Sequence, residues 1–469
     1  MRNLEAISPI DGRYRTEVSE LAAFFSESAQ MKYRVTVECE YLIALSEHPH
    51  IGTRRFSEKE EGIIRQIYDD FDLKDAEILS AIEHSGYKNI KATDHDMKAI
   101  EYFMKDTLKF TSLKDSLEWI HFCLTSEDVS NLGYALMISD ALEKVIILAL
   151  EKILANIDVM AKTFRAIPIL ARTHGQSASP STLGKELKIF AQRIERQLKQ
   201  LKNIKLLVKL NGATGNYNAF IAAYPAVNWI SFSENFIKKI GRGRMIRLEP
   251  NLLTTQIEPH DSYAEIFDIM RRINTILLNF NQDMWRYISD GWFSQKAVEG
   301  EIGSSAMPHK INPLKFENSE GNLGIADALI EFFSRKLPIS RLQRDLSDST
   351  VERNFGVAFA HSLIGYKYIL KGLSRLTVND KKIAEDLEKH PEVISEALQT
   401  ILRREGMPFP YEKLKNLTRG RTVAMKDFEK FIDELEATNA VKKELKRIKP
   451  GNYIGLAKKL AILKLKKTI

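Results

Sequence analysis

An all-α fold is predicted by the spacing of helix-breaking residues and by the apolar pattern between them. Neither glycine nor proline occurs between Gly133 and Pro168, from Lys185 to Asn211, or from His260 to Asp290. These stretches are much longer than the mean globular helix of about 11–12 residues. Each carries apolar residues at helical spacing, so each has one face to bury.

The apolar stripes predict long helices that pack side by side in a bundle. The second and third stretches carry these stripes: Leu187, Phe190, Ala191, Ile194, Leu198, Leu201 and Ile204; and Ile266, Ile269, Met270, Ile273, Ile276, Leu277 and Phe280. Two more helices are predicted near 324–336 and 349–370. We therefore expect three domains: short helices over 1–114, the central long-helix bundle over 115–365, and short helices again over 366–469.

Composition and charge fit a soluble globular protein of 469 residues, 44% of them hydrophobic. No segment approaches the roughly 18 to 20 apolar residues of a membrane span, and the N-terminus lacks the apolar core of a signal peptide. We therefore expect a cytoplasmic protein that does not enter the membrane. The net charge of +7 suits anionic small molecules or weak nucleic-acid attraction and decides neither. The C-terminal lysines are expected to form a solvated helix face rather than a nucleic-acid arm.

Neither a metal nor a cofactor is predicted. The two cysteines, Cys39 and Cys123, form no CxxC motif, the histidines are scattered, and HExxH is absent. The phosphate-loop pattern GxxxxGK[ST] is absent as well.

Five polar segments lie between the predicted helices, where functional loops on a rigid scaffold are expected. They are "KATDHDMKA" at 91–99, "HFCLTSEDVSN" at 121–131, "ARTHGQSASPST" at 171–182, "GEIGSSAMPHKINP" at 300–313 and "SRLQRDLSDSTVERN" at 340–354. Together they offer groups for proton transfer and for binding anions.

Several readings of these segments stay open on residue types alone. His174 is a candidate general acid or base, but residue type alone favours a histidine bonded within a loop. Lys310 and Asn312 suit an anionic oxygen, and a surface turn is the alternative. The arginines and hydroxyls of 340–354 suit a phosphate, and an N-cap with exposed arginines is the alternative. A serine hydrolase is not excluded by spacing, yet the GxSxG elbow is missing.

Three motifs together resemble the fumarase/aspartase superfamily. "GSSAMPHKINP" at 303–313 is similar to its signature loop, and "TSED" at 125–128 and "RTHGQ" at 172–176 resemble its other two active-site regions, in the expected order. "SPIDGRY", "HDMKAIEYF", "TTQIEPHD" and "LQRDLSDSTVERN" extend the resemblance to the adenylosuccinate lyase family, in its bacterial branch. The similarity covers essentially the whole chain.

The resemblance implies an enzyme of purine biosynthesis. Such an enzyme eliminates fumarate from adenylosuccinate and from succinylaminoimidazolecarboxamide ribotide by general acid–base catalysis, without cofactor or metal. It also implies a homotetramer whose active sites combine loops of three subunits around a shared helical bundle. Its partners would be these small molecules and further copies of the chain, with neither nucleic acid nor membrane involved.

Two alternatives remain. One is another lyase or cycloisomerase of the superfamily, of the argininosuccinate or carboxymuconate type. The "SDSTVER" segment argues against it, because those substrates carry no phosphate. The other is a helical scaffold or nucleic-acid-binding protein, which only the basic C-terminal region supports.

The resemblance also assigns roles. It implies that His174 is the general acid, Ser304 the catalytic base, and Glu317 the residue that orients His174. Lys310 and Asn312 would bind the carboxylate on which charge develops. The full set of implied substrate-binding residues is Arg13, Tyr14, His95, Asp96, Thr125, Ser126, Gln256, Lys310, Asn312, Asn318, Arg344, Ser349, Thr350 and Arg353.

Overall fold

The computed structural model describes residues 4–297, 300, 306–307 and 309–463, and helices dominate them. The α-helices are α1 Arg15–Val18, α2 Ala22–Phe25, α3 Glu27–Glu47, α4 Glu58–Asp69, α5 Leu73–His84, α6 Asp96–Leu108, α7 Ser126–Ala141, α8 Ile147–Thr163, α9 Leu183–Asn203, α10 Asn218–Ala223, α11 Trp229–Ile240, α12 Asp261–Ser289, α13 Leu314–Lys336, α14 Ser347–Glu352, α15 Phe355–Leu373, α16 Asp380–Glu388, α17 Ser395–Arg404, α18 Pro410–Thr418, α19 Met425–Asp433, α20 Asn439–Lys446 and α21 Ala457–Leu460. Single turns of other helix types are Ser19–Leu21, Leu117–Trp119, Leu142–Ile146 and Pro391–Ile394.

The strands are short and pair only two at a time within the described ranges. They are β1 Pro168–Ile169, β2 Arg172–Thr173, β3 Gln176–Ser177, β4 Ser181–Thr182, β5 Lys205–Val208, β6 Arg247–Pro250, β7 Phe293–Gln295 and β8 Leu376–Val378. The pairs are β1–β4, β2–β3 and β7–β8, which are antiparallel, and β5–β6, which is parallel. The prediction of an all-α fold is confirmed.

The long helices bury the apolar stripes predicted from the sequence, but several of them begin or end at other residues than predicted. In α12 every residue of the predicted stripe is buried, and so is every stripe residue within α9; Ile204, just beyond its end, is half-buried. The expected helix to Asn211 is wrong, because the chain after Asn203 becomes β5 and pairs with β6. The helix expected near 324–336 begins at Leu314, and the one expected over 349–370 is split into α14 and α15.

The chain divides into two compact units. The first comprises Met1–Leu150, Gln197–Thr275 and Gly321–Lys367, and the second comprises Glu151–Arg196, Ile276–Glu320 and Tyr368–Ile469. The three-domain boundaries drawn from the sequence stay a prediction.

Helix α7 runs through the core of the first unit. Every residue from Glu127 to Ala141 is buried, and α2 and α3 pack against the helix. A helix buried on all sides is usually apolar all round, yet α7 carries Glu127, Asp128 and Asp140. Buried charges need paired partners, so the core of this unit contains a polar framework.

In the second unit an arm, residues 168–182, connects α8 to α9 and packs against α16. The β1–β4 pair lies at its base, and β2–β3 forms the hairpin beyond it. A Cβ atom at Gly184 would come within 2.2 Å of the Ala161 carbonyl oxygen and 2.6 Å of the Arg165 Cα atom. The base of the arm therefore requires glycine at this close approach. Across the part of the chain that is described, no helix combines the length and apolar character needed to traverse a bilayer.

Candidate active site

His174 lies at the exposed tip of the hairpin formed by β2 and β3. Thr173 pairs with Gln176, so His174 and Gly175 form a two-residue turn. Both have positive φ, +53° and +75°, which is the pattern of a type I′ turn. The imidazole is exposed, and no hydrogen bond or ion pair joins it to another of the described residues. Its position suits a proton donor for a ligand that approaches from outside the chain.

Thr125 and Ser126 begin α7 and are half-buried. The N-cap Thr125 donates its backbone N–H to Asp128 Oδ2 at 2.9 Å. This bond fixes the first turn of the helix, where free N–H groups and the helix dipole favour an anion. Both residues are thus presented on a rigid element.

Arg344 is held by acidic side chains from two helices. Its guanidinium lies 3.1 Å from Glu127 Oε2 on α7 and 3.7 Å from Asp348 Oδ2 on α14. The Arg344 Nη2 atom also donates to Ser349 Oγ at 3.2 Å. Its side chain is 18% exposed, while those of Glu127 and Asp348 are 1% and 4% exposed. The buried carboxylates therefore hold the guanidinium of Arg344 in place, while part of its side chain remains accessible to solvent.

His260 and Glu352 complete the buried cluster around Arg344. Burial, together with the smaller effect of the positive charge of Arg344, lowers the pKa of His260 to about 3. Burial also raises the pKa of Glu352 well above its usual value, and the neighbouring Glu127 adds to that shift. His260 is therefore neutral, and Glu352 favours its protonated form.

One side-chain group among the described residues has metal-ligand geometry. Ligand atoms of Glu127, His260 and Asp348 lie within 4.8 Å of one another. The guanidinium of Arg344 already lies against both carboxylates and supplies the positive charge that this cluster calls for. A second cation would be repelled by it at this distance, so the absence of a metal stays the prediction.

A second ionic group joins α6 to the segment after α14. Asp96 accepts a hydrogen bond from Arg34 Nη1 at 2.7 Å and lies 3.8 Å from Arg353 Nη2. Burial opposes ionisation of Asp96, but Arg34 outweighs it and holds the pKa of the carboxyl below its usual value. The carboxylate therefore orients Arg353. His95 is the N-cap of α6, with its ring 54% exposed beside Asp96.

Gln256 is half-buried next to the loop at 211–217. Its side-chain Nε2 donates to the Ala213 carbonyl oxygen at 3.0 Å, and its backbone N–H donates to Gln343 O at 3.2 Å. The second bond ties Gln256 to the segment that carries Arg344. Of the remaining predicted residues of the first unit, Arg13 and Thr350 are exposed and Tyr14 is half-buried.

The other predicted residues of the second unit surround the start of α13. Lys310 is exposed and Asn312 half-buried just before this helix, and Asn318 is half-buried within it. The exposed Glu317 accepts a hydrogen bond from Trp285 Nε1 at 3.0 Å. Ser304, the predicted base, lies outside the described residues. The orientation of His174 by Glu317 stays a prediction, since Trp285 is the side-chain partner described for Glu317.

Within the first unit, the structure brings predicted residues into two groups that the sequence had not joined. Arg344 contacts both Ser349 and Glu127, which follows Thr125 and Ser126 in the chain, and Asp96 pairs with Arg353. Four residues of these groups and their surroundings were not among the predicted ones: Glu127, Asp128, Lys209 and His260. The sequence does contain features that mark these residues. Glu127 and Asp128 are the two acids of "TSED", His260 is the histidine of "EPHD", and Lys209 stands between apolar residues before the glycine-rich "NGATGNY".

Comparison with known proteins identifies the family. A family model described as "Lyase" matches residues 12–326, and one described as "Adenylosuccinate lyase C-terminal" matches residues 340–454. The chain is 48% identical to an adenylosuccinate lyase of Dictyostelium discoideum, with 97% of both chains covered. It is 46% identical to that of Escherichia coli K12, with 97% of this chain and 98% of the relative covered.

The chain belongs to the adenylosuccinate lyase family.

Solved structures agree on the fold. A fumarate lyase from Mesorhizobium sp. BNC1 superposes with a TM-score of 0.72 at 16% identity, over 94% of this chain and 96% of that one. A 3-carboxy-cis,cis-muconate lactonizing enzyme from Pseudomonas putida superposes with a TM-score of 0.71, also at 16% identity, over 96% and 97%. At this identity the likeness concerns the fold alone. The family resemblance read from the sequence is thus confirmed by relatives that align along nearly the full length of the chain.

Proposed function

We propose that the chain eliminates fumarate from adenylosuccinate, and from succinylaminoimidazolecarboxamide ribotide, in purine biosynthesis. The observation that carries this proposal is the near-full-length identity to adenylosuccinate lyases, at 48% and 46%. The family match at 340–454 supports it, because this range includes the segment with Arg344, Ser349 and Arg353. These cationic and hydroxyl groups suit a substrate that carries a phosphate.

In the proposed reaction Ser304 removes a proton from the carbon next to a carboxylate of the succinyl group. Negative charge then builds on that carboxylate, and Lys310 and Asn312 stabilise it as a point charge and an amide donor. The carbon–nitrogen bond breaks as the new carbon–carbon double bond forms. His174 gives its proton to the departing nitrogen, which leaves fumarate and the amine product, AMP in the case of adenylosuccinate.

A shared active site in a homotetramer is the second part of the proposal. His174 is exposed at a hairpin tip, whereas Arg344 is anchored in the core of the first unit. An exposed acid becomes effective once a ligand and neighbouring groups surround it, which a second subunit would supply. We extend the proposal to a cytoplasmic enzyme with small-molecule substrates and neither nucleic-acid nor membrane partners.

The substrate proposal is tested by incubating the purified protein with adenylosuccinate. The expected result is a change in ultraviolet absorbance as the substrate is consumed. Chromatography should show fumarate and AMP formed in equal amounts. Argininosuccinate and carboxymuconate serve as comparison substrates under the same conditions. Fumarate release from argininosuccinate, with adenylosuccinate unchanged, would establish the alternative within the superfamily.

The assembly proposal is tested by mixing two inactive variants, His174→Ala and Arg353→Ala. If active sites combine residues of different subunits, hybrids contain some sites with both native residues and regain part of the activity. Light scattering should give the mass of four chains. A monomer by light scattering, or no recovery in hybrids whose exchange is verified by mass spectrometry, would refute the shared site.

A further inference from the structure

Asp128 and Lys209 form an ion pair that is entirely buried. Lys209 Nζ lies 2.8 Å from Asp128 Oδ1, and both side chains are 0% exposed. Asp128 belongs to the first turn of α7, and Lys209 directly follows β5. Removing two charges from water is unfavourable, so such a pair persists where further hydrogen bonds satisfy both groups. Those further bonds show what the pair connects.

The Asp128 carboxylate gathers N–H groups from two separate segments. Oδ2 accepts from the Thr125 N–H at 2.9 Å. Oδ1 accepts from the Asn211 N–H at 3.1 Å and the Gly212 N–H at 3.2 Å. The start of α7 and the glycine-rich loop at 211–217 are thereby held against one another.

The Lys209 ammonium extends this connection to a third segment. Besides Asp128, it donates to the Gly212 carbonyl oxygen at 3.0 Å and to the Gln256 carbonyl oxygen at 2.8 Å. An ammonium group has three N–H donors, and these three acceptors satisfy all of them. Lys209 therefore fixes the backbone of a predicted substrate-binding residue.

The glycine-rich loop fits closely against the segment of Gln256. Gly215 has φ of +74°, and a Cβ atom there would lie 2.3 Å from the Thr254 carbonyl oxygen. Asn211 Nδ2 donates to Thr254 Oγ1 at 2.8 Å, and Gln256 Nε2 donates to the Ala213 carbonyl oxygen at 3.0 Å. Movement of the loop would therefore move Gln256 as well.

We propose that Asp128 and Lys209 are positioning residues for substrate binding. Their pair sets the turn of Thr125 and Ser126 at a fixed distance from Gln256, although neither charge reaches solvent. The proposal rests on the proposed function, since these three residues are its predicted ligands for the substrate. It gives Asp128, the second acid of "TSED", and Lys209, the lysine before "NGATGNY", a role in the affinity for the substrate.

The test compares Asp128→Asn and Lys209→Met with the wild-type protein in steady-state kinetics on adenylosuccinate. We expect KM to rise by about ten- to a hundredfold, because hydrogen bonds to a charged ligand that are lost or misaligned typically weaken binding by such a factor. The fall in kcat should be smaller, since the proton-transfer groups lie on other segments. A purely structural role would instead reduce the number of folded active sites, lowering apparent kcat at unchanged KM.

Asp140→Asn is the matched control. Asp140 lies on the same helix and is 5% exposed, with hydrogen bonds from Arg244 Nε at 2.9 Å and the Tyr33 hydroxyl at 2.8 Å. Its partners lead to none of the predicted substrate residues, so its KM should stay at the wild-type value. An unchanged KM in both pair variants, or an equal rise in Asp140→Asn, would overturn the proposal.

The double variant, Asp128→Asn with Lys209→Met, covers the case in which single variants do not fold. Removing both charges avoids an unpaired buried charge, so this variant should fold better than either single one. It should nevertheless keep the raised KM, because the links to Thr125 and Gln256 are lost. A soluble double variant with wild-type KM, or insolubility of all three while Asp140→Asn is soluble, would assign the pair to folding alone.

Binding of AMP, measured by calorimetry, separates this inference from the proposed function. A wild-type protein that releases no fumarate but binds AMP would defeat the proposed reaction only. In that case weaker AMP binding by Asp128→Asn, with Asp140→Asn unchanged, supports the positioning role. Equal AMP binding by all three proteins opposes it, and no AMP binding by the wild-type protein overturns both.

Discussion

The hairpin that carries His174 and the polar framework at the start of α7 are built in opposite ways. The hairpin is a pair of two-residue strands with an exposed histidine at its tip. In the framework, Glu127, Asp128 and Lys209 are buried, and hydrogen bonds or ion pairs hold them. The chain itself therefore prepares the groups proposed for binding, while the proposed proton donor is left on the surface.

This difference follows from what each task requires. Charges that bind an anion must be fixed before it arrives, and buried opposite charges fix them well. A proton donor must reach the departing atom of a ligand, and an exposed turn keeps it accessible. Substitutions in the hairpin should therefore lower turnover, whereas substitutions in the framework should change substrate binding and the free energy of unfolding. The largest effect is expected at the hairpin tip.

His174→Ala should lower turnover by about 10²- to 10⁴-fold, the usual contribution of a general acid. Because the side chain is exposed, the free energy of unfolding should not change. Both are measured, by steady-state kinetics and by urea unfolding at one protein concentration. His84→Ala is the control, since His84 is also exposed, at 61%, and has no proposed role. Near-normal turnover in His174→Ala would remove it as the acid.

Arg344→Met should act on stability as well as on binding. The substitution leaves Glu127 and Asp348 buried without their cation, which typically costs about 3 kcal/mol or more. Urea unfolding should show this loss, and KM for adenylosuccinate should rise. Arg341→Met is the control, because Arg341 is 83% exposed and lies 3.6 Å from Asp345. Equal stability of the two variants would contradict a framework anchored at Arg344.

Glu258→Gln should change how stability depends on pH. Burial raises the pKa of Glu258 to about 7, although the Asn251 side chain and the His260 N–H donate to its carboxyl. The folded state thus keeps a proton that the unfolded state loses near pH 4.3. The stabilising contribution is complete below that pH and is lost as the pH rises through about 7.

From pH 5 to 8 the glutamine variant should therefore lose roughly 2 kcal/mol less stability than the wild-type protein. The free energy of unfolding is measured in urea across that range at fixed protein concentration. Glu249→Gln serves as the control, because Glu249 is 44% exposed and pairs with Lys205 at the surface. Parallel pH curves for the wild-type and Glu258→Gln proteins would contradict a buried, protonated Glu258.

Gly175→Ala should give the smallest effect. Gly175 has φ of +75° and open space around an added Cβ, so the cost is backbone strain of about 1 kcal/mol confined to the turn. Displacement of His174 should lower turnover by about fivefold at most. Gly243→Ala is matched, with φ of +86° and open space, and should leave turnover unchanged. Equal turnover in the two variants would show that the shape of the turn has no bearing on catalysis.

The sequence predicted the long helices well because their signals are local. Pro259 and Gly291 flank α12, and its apolar stripe has the helical period throughout. The end of α9 was missed because "KLLV" at 205–208 is a short apolar run, which periodicity cannot assign to helix or strand. Helix α13 begins at Leu314, ten residues before the predicted start, directly after Pro313 and with Gly321 and Gly324 inside it.

The candidate site was predictable where a motif lies within one segment, as in "RTHGQ" and "TSED". The partners of those motifs were not, because they depend on which segments meet in the fold. Lys209 reaches Asp128 from 81 residues away, and Arg344 reaches Glu127 from a still more distant segment. A lysine between apolar residues marks such a partner, but only tertiary packing shows which acid it meets.

Because Lys209 is completely buried, its chemical labelling would report local unfolding of the protein around it. Amine-acylating reagents label surface lysines of the native state within one short exposure. Lys209 can be labelled only when β5 separates from α7, so the slow appearance of its acylated peptide in mass spectrometry would time that separation. Ligands that bridge Thr125 and Gln256 should delay it.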